Sequence, residues 1–430
     1  MWARATLLWG FLAATFAVCL AGKALAELMT ALFPEGVPGY DTADGVTVET
    51  RLHPEQMPLG LREDAFRFTP QLDQGLGYTS NVLPGSNRHG SWQIVTAPSL
   101  SMTSDWPRDQ IGAAMSAQDT RYLSLPSQNR TDGTVSAGGR IDIGDGRLTL
   151  AASHVAAHED PGTIDTLATD RPIAFQLDDI RASYAVAAGR WAIEPAIDVT
   201  HWTYSDTTIM GLPASQAYRD RLVTQAGVTT SYEVAPLRKV LFVVRGVGQD
   251  YTRAQPGQPS LNSTSYQVLA GIDEKDDPVW RWRVLVGGEV RSFASSLYPR
   301  ETRPIAEAAI GWSPSGMTTV TATFSRETED AAQEGVSGMA YTSARLTIDH
   351  EYLRNLLFKA SAGFQRADFF QGGYQTGTIL GLGVTWVLDR NARLLFTYDQ
   401  TDLRGSSLPA AAMVAGFSRG LGLITLRLGL

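Results

Sequence analysis

From Phe66 onward the apolar residues of this chain fall on alternate positions. In the stretch from Arg51 to Val82, Phe66, Phe68, Pro70, Leu72, Leu76 and Tyr78 share one parity, interrupted by Gln74. Arg67, Thr69, Gln71, Asp73, Gly75 and Gly77 share the other. Period two over such a length predicts a strand with one wet and one apolar face. Similar runs of roughly 10 to 16 residues recur to the C-terminus, separated by turn residues, and predict about 18 strands. The first lies near 66–82 and the last near 415–430. The connections alternate in length. Short ones include Gly144-Asp145-Gly146, Ser315-Gly316 and Arg354-Asn355, and long ones include 159–174, 206–217 and 328–339. Short turns at one end and long loops at the other are the rhythm of a transmembrane barrel rather than a soluble sandwich.

The predicted fold is therefore all-β: a transmembrane antiparallel β-barrel with short periplasmic turns and longer extracellular loops. Closure follows from backbone polarity, because an unpaired N–H or C=O in hydrocarbon costs several kcal/mol and an open sheet edge would expose a row of them. With about 18 strands, side chains cannot fill the interior as they do in an eight-stranded barrel, so a water-filled or plugged lumen is expected. Aromatic residues near strand ends, among them Tyr78, Tyr184, Trp191, Trp202, Tyr232, Trp312, Tyr352 and Trp386, are read as interfacial girdles.

Residues 1–26 read as a secretory signal peptide, with Arg4 before an apolar core and Ala24-Leu25-Ala26 as a small-x-small cleavage site. A membrane anchor and, through Cys19, a lipoprotein are the alternatives. Residues 27–64 lack periodicity and read as a periplasmic N-terminal tail, and residues 65–430 as the barrel. Cys19 is the single cysteine, so the mature chain holds no disulfide. Removing Arg4 and Lys23 leaves 34 of 36 basic residues against 44 acidic ones, which argues against nucleic acid as a partner.

Assigning faces strand by strand puts Arg281, Arg283, Glu289 and Arg291 on the wet face of one strand, opposite Trp280, Trp282, Val284, Val286 and Val290. The same rule sends Arg345 and Asp349, Arg245, Arg221 and Lys359 inward, with Glu307, Asp179, Asp198, Asp73 and Arg427. Two roles are open for these charges: pairing across strands to stiffen the wall, or forming a constriction that selects solute. The wall of Arg281, Arg283 and Arg291 is the best candidate for the second. No catalytic set and no cofactor cradle is visible. The six histidines are dispersed, and the four-residue spacing of His154 and His158 suits a metal on a helix better than on a strand.

The stretch around the first strand resembles the putative beta-barrel porin-2 family of Gram-negative outer-membrane proteins. The resemblance rests on Arg51, Pro54, Pro58-Leu59-Gly60-Leu61-Arg62, Phe66, Phe68, Pro70, Leu72, Tyr78, Asn81 and Val82. The chain departs from that pattern at Thr79 and Ser80, where acidic residues are usual, and at Leu430, where an aromatic is common. The resemblance implies a bacterial outer-membrane channel associated with exopolysaccharide or capsule export. Its partners would be membrane lipid, polysaccharide, periplasmic export machinery and barrel-assembly machinery. A general diffusion porin, or a barrel enzyme or adhesin at the outer face, are the alternatives.

Overall fold

A computed structural model describes residues 37–40, 47–51, 53–83, 88–253, 257–275, 277, 279–407, 414 and 416–430. The predicted signal peptide lies outside the described residues. A short lead-in strand, β1 (Leu61–Glu63), turns back onto β2 (Phe66–Thr79), the long alternating run of the sequence. The wall continues through β3 (Ser91–Ser104), β4 (Gln110–Tyr122), β5 (Arg130–Ile143), β6 (Gly146–His158), β7 (Ala174–Ala188) and β8 (Trp191–Tyr204). A small hairpin of β9 (Thr207–Ile209) and β10 (Leu212–Ala214) interrupts it inside a loop. It then resumes with β11 (Arg221–Ala235), β12 (Arg238–Tyr251), β13 (Ser263–Glu274), β14 (Trp280–Phe293), β15 (Glu301–Ser315) and β16 (Thr318–Glu329). It ends with β17 (Met339–Leu353), β18 (Leu356–Phe369), β19 (Tyr374–Val387), β20 (Ala392–Ser406) and β21 (Gly416–Gly429).

Each wall strand pairs antiparallel with its sequence neighbours, and the seam closes by β2 pairing β21, from Gln71↔Gly429 to Thr79↔Leu421. The result is a closed barrel of 18 strands, as the alternation predicts. Asp73 and Arg427 face each other across the seam at 2.8 Å. The Leu430 carbonyl accepts a bond from the Gly60 amide at 2.9 Å, so the lead-in also fastens the C-terminus. At about 4.8 Å between strands and about 40° of tilt, eighteen strands enclose a backbone cylinder about 36 Å across. Side chains alone leave such a space open.

Alternation sorts the residues cleanly. Along β12, Leu241, Val243, Arg245 and Val247 are buried, while Val240, Phe242 and Val244 stand exposed on the outer face. Ile180, Val286, Leu380 and Leu382 are similarly exposed. A continuous apolar belt of this kind is stable facing lipid, not water. Aromatic pairs edge the belt: Trp280 stacks on Trp312 with centroids 5.4 Å apart, Trp191 meets Tyr232 at 4.8 Å, and Tyr78 meets Trp92 at 5.5 Å. Trp202 breaks the girdle expectation. Its parity on β8 turns it inward, where it is 2% exposed and packs on Phe175 and Tyr204.

Candidate functional site: the lumen and its two closures

Two segments without strand periodicity enter the space the wall encloses. The first is the N-terminal tail. Val37 and Tyr40 pack with Ala151, Val155, Phe175, Leu177 and Trp202 on the inner face of β6 to β8. The Tyr40 hydroxyl donates to Asp179 Oδ2 at 2.8 Å, and the Arg181 guanidinium lies 4.9 Å from the centre of its ring. Arg181 itself bridges Asp179, at 2.9 Å, and Asp198, at 2.7 Å. Burial and the neighbouring Asp179 push the Tyr40 hydroxyl far above its ordinary pKa, so it remains a donor. On β5, Gly138 lets the Pro38 carbonyl approach so closely that any Cβ there would overlap it.

On the opposite wall, Val48 is fully buried and its amide donates to Thr319 Oγ1 on β16 at 3.2 Å. Glu49 pairs with Lys359 on β18 at 2.6 Å, and Arg51 donates to the Gly316 carbonyl at the short-turn rim. The tail then follows that rim. Gln56 donates to the Arg354 carbonyl at 2.6 Å and accepts at its own carbonyl from Arg393 at 3.1 Å. The described parts of the tail thus hold opposite sides of the lumen wall.

The second closure lies at the long-loop rim. The loop between β6 and β7 crosses to strands nearly opposite. Ile164 packs with Met339, Tyr341, Ala367, Phe369, Leu403 and Phe417. The Asp165 amide donates to Gln375 Oε1 at 2.7 Å, and Gln375 Nε2 donates to the Val414 carbonyl at 2.8 Å. The loop between β16 and β17 folds in to meet it. The Ala332 amide donates to the Asp165 carboxylate, and the Tyr218 hydroxyl donates to the Ala332 carbonyl at 2.5 Å.

Ion pairs fasten this cap to the wall. Asp330 joins Arg291 at 2.5 Å and Arg221 at 3.1 Å, all three nearly buried. Asp160 joins Arg419 at 2.9 Å and Arg130 at 3.5 Å, and Glu159 joins Arg219. Burial alone would raise Asp160, but the Arg419 and Arg130 guanidiniums overcome it and hold its carboxyl down at about 2. Asp165 goes the other way. Burial raises it to about 7 against the Ala332 amide and Arg219, and its Oδ1 has no hydrogen-bond partner. It also carries a left-handed backbone, φ 63°, uncommon for a residue with a Cβ.

The charges singled out in the sequence separate by task. Arg281, Arg283, Glu289 and Arg291 share the inward parity of β14. Arg291 is not available to a solute: it is 3% exposed, bound to Asp330, Gln249 and Ser263. Arg221 is committed to the same clasp. Arg245 pairs with Glu307 at 2.9 Å, while Gln267 donates to Glu289 at 3.3 Å. Lys359 holds the tail through Glu49, and Asp349 stands beside it across the β17–β18 pair. Arg345 lies on the same inward face of β17, four residues along the strand from Asp349. The wall is not uniformly polar either. Leu285 shares a face with Arg281 and Arg283, and with Leu241, Val243, Leu269 and Ile305 it forms an inward apolar cluster.

Sequence periodicity gave no warning of Tyr40, Asp160, Asp165, Arg219 or Asp330, which sit in irregular segments. The only available signal was acidic residues inside the long loops, opposite an excess of inward arginine. His154 and His158 do not converge. His154 bonds Asp178 at 2.7 Å on the outer face, where His201 also lies 3.9 Å from Asp178, whereas His158 bonds Asp132 on the neighbouring β5 at 2.7 Å. Among the described residues no group of His, Cys, Asp and Glu is arranged to hold a metal.

No curated protein matches the chain. Among solved structures it is similar to the outer-membrane protein OpdK of Pseudomonas aeruginosa, at 12% identity over 84% of this chain and 99% of that one, with TM-score 0.45. It is similar to OccAB4 of Acinetobacter baumannii at 11% identity over 88% and 100%, with TM-score 0.45. It is also similar to the FrpB iron transporter of Neisseria meningitidis at 10% identity over 82% and 65%, with TM-score 0.47. The family described as Putative beta-barrel porin 2 matches residues 53–415, nearly the whole barrel and its lead-in. The chain belongs to the putative beta-barrel porin 2 family, and its barrel is a porin-like outer-membrane channel.

Proposed function

We propose that this protein is a gated channel of the bacterial outer membrane that passes a hydrophilic solute, with exopolysaccharide on its way out of the cell as the favoured cargo. The observation that carries the gating is the double closure. The described parts of the chain's own tail sit on opposite inner walls and two loops fold over the mouth, each held by specific polar contacts together with a small apolar cluster. A general diffusion porin needs a standing opening, so these closures favour a channel opened on demand. The short-turn rim, where the tail runs, would face the periplasm and meet export machinery there.

The recurrence of arginine on the inward faces, at Arg281 and Arg283 on β14 and Arg345 on β17, favours an acidic polymer as cargo over a cationic one. Delivery would follow the signal peptide and the barrel-assembly machinery. The test pairs genetics with conductance. Deletion of the gene is expected to abolish secretion of the acidic polysaccharide, and the purified barrel is expected to conduct in brief, rare openings. Intact secretion after deletion would remove the polymer role. A large, steady conductance would favour the diffusion porin.

A further inference from the structure

The outer face of β16 to β20 carries a feature that neither closure uses. The register places Arg326 opposite Thr342, Thr342 opposite Arg366, Arg366 opposite Thr376, and Thr376 opposite Arg404. These five residues form one unbroken row across five strands. Their parity is outward, because Ser325, Gln365, Gln375 and Leu403 beside them are the buried inward residues. The row sits in the long-loop half of each strand. Just below it on the same faces, Phe324 and Phe364 belong to the exposed apolar belt. Among the described strand residues, the outward arginines in this half are Arg121, Arg326, Arg366 and Arg404, and three of the four share this row. Arg121 is chelated by Asp119 elsewhere on the barrel.

Successive arginines lie two strands apart, about 9.6 Å between backbones. Arginine side chains of that separation can converge on one tetrahedral anion, with threonine hydroxyls between them as further donors. Arg326 Nη1 donates to Thr342 Oγ1 at 2.7 Å, and Arg404 is exposed. Arg366 rests 4.6 Å from the centre of the Tyr374 ring and is held by Asp368 at 2.7 Å while remaining 41% exposed. The acidic residues on this patch are Asp368 and Asp402, and Asp402 accepts from Gln400 at 3.1 Å. Three cations against two anions leave the row positive on a chain whose net charge is −8.

We infer that this row is a docking site for the phosphate of an anionic lipid headgroup in the leaflet at the long-loop rim. A cationic row directly above an apolar belt matches a ligand with a charged head and acyl tails in both position and chemistry, whereas a free anion would use the row alone. The site lies on the opposite side of the wall from the lumen, so it stands whether or not the cargo is a polysaccharide.

The test uses the full barrel folded in uncharged detergent and titrated with diphosphoryl lipid A or with phosphatidylcholine. Bound lipid is read by native mass spectrometry and folding by heat-modifiable gel mobility. Lipid A is expected to be retained and to raise the unfolding temperature, and phosphatidylcholine to do neither. The triple variant Arg326→Gln, Arg366→Gln, Arg404→Gln is expected to lose about tenfold or more in lipid A occupancy, as removal of charge-assisted bonds should cost. The triple lysine variant should recover part of it. Should the triple glutamine variant not fold, Arg404→Gln and Arg326→Gln alone decide, each lowering occupancy. Equal lipid A retention by folded wild type and glutamine variants would overturn the site. Equal protection by inorganic phosphate at the same concentration would overturn the lipid as its ligand.

Discussion

The hydroxyl of Tyr40 and the carboxylate of Asp179 meet at 2.8 Å across 139 residues of chain, one from an irregular tail and the other from the inner wall of the barrel. That bond is buried and is continued by Arg181 and Asp198, so it fixes where the tail lies within the lumen. A hydrogen bond to a charged group contributes about 1.5–3 kcal/mol. Tyr40→Phe keeps the ring and its contact with Arg181 but removes the donor. It is expected to raise the frequency of openings by about tenfold or more in single-channel recordings, while leaving the unitary conductance unchanged.

Gly138 offers a steric route to the same end. A methyl group at this position would overlap the Pro38 carbonyl, while the other near neighbour is the Leu150 carbonyl of the adjoining strand. Gly138→Ala is expected to expel the tail from its seat against β5 and to increase open time, with the barrel still resistant to heat on a gel. A variant that assembles normally and opens no more often than wild type would show that the Pro38 approach does not hold the tail.

Glu49 and Lys359 give a contrasting expectation. Both side chains are nearly half exposed, and exposed pairs are worth about 0–1 kcal/mol. Lys359→Gln should therefore change opening by only a few fold, far less than Tyr40→Phe. The comparison separates buried fastening from surface pairing within one segment.

The cap should answer to pH through Asp165. An aspartate in water titrates near 3.9, whereas burial holds Asp165 at about 7. The capped mouth thus favours the neutral acid. Its contribution is complete below about pH 4 and is lost as pH rises through about 7. The ratio of capped to uncapped mouths is expected to fall by about a hundredfold between pH 5 and pH 8. Protease access to the loop between β6 and β7 would report it. Asp165→Asn, which cannot ionise, should stay protected at pH 8.

Asp330 carries the opposite logic. It neutralises Arg221 and Arg291, each close to fully buried, and removing one partner of a buried pair costs about 3–5 kcal/mol. Asp330→Asn is expected to release the loop between β16 and β17 at every pH, detected as loop cleavage without loss of the folded barrel band.

Much of the wall was legible because a barrel strand leaves its signature in every second residue. Phe66 to Tyr78 shows this directly, and the pairing of that first strand with the last follows from an even count. The inward direction of Arg221, Arg291 and Lys359 follows from the same parity. Their partners do not. Asp330 and Glu49 lie in segments with no period, and they reach the wall across the lumen, where sequence separation carries no information. Trp202 shows the limit within a strand: its residue type argues for the lipid interface, but its parity and the Phe175 ring beside it turn it inward. Leu285, apolar on a face otherwise occupied by charge, escaped for the same reason in reverse.

Self-closure of the channel by its own tail and cap is read out by conductance in planar bilayers before and after removal of residues 37–51 from the folded barrel. Rare, brief openings are expected for the intact protein and, once the tail is gone and the pH is raised above 7 to release the cap, a large and persistent conductance. An intact barrel that already conducts steadily at the level of the truncated one would contradict self-closure.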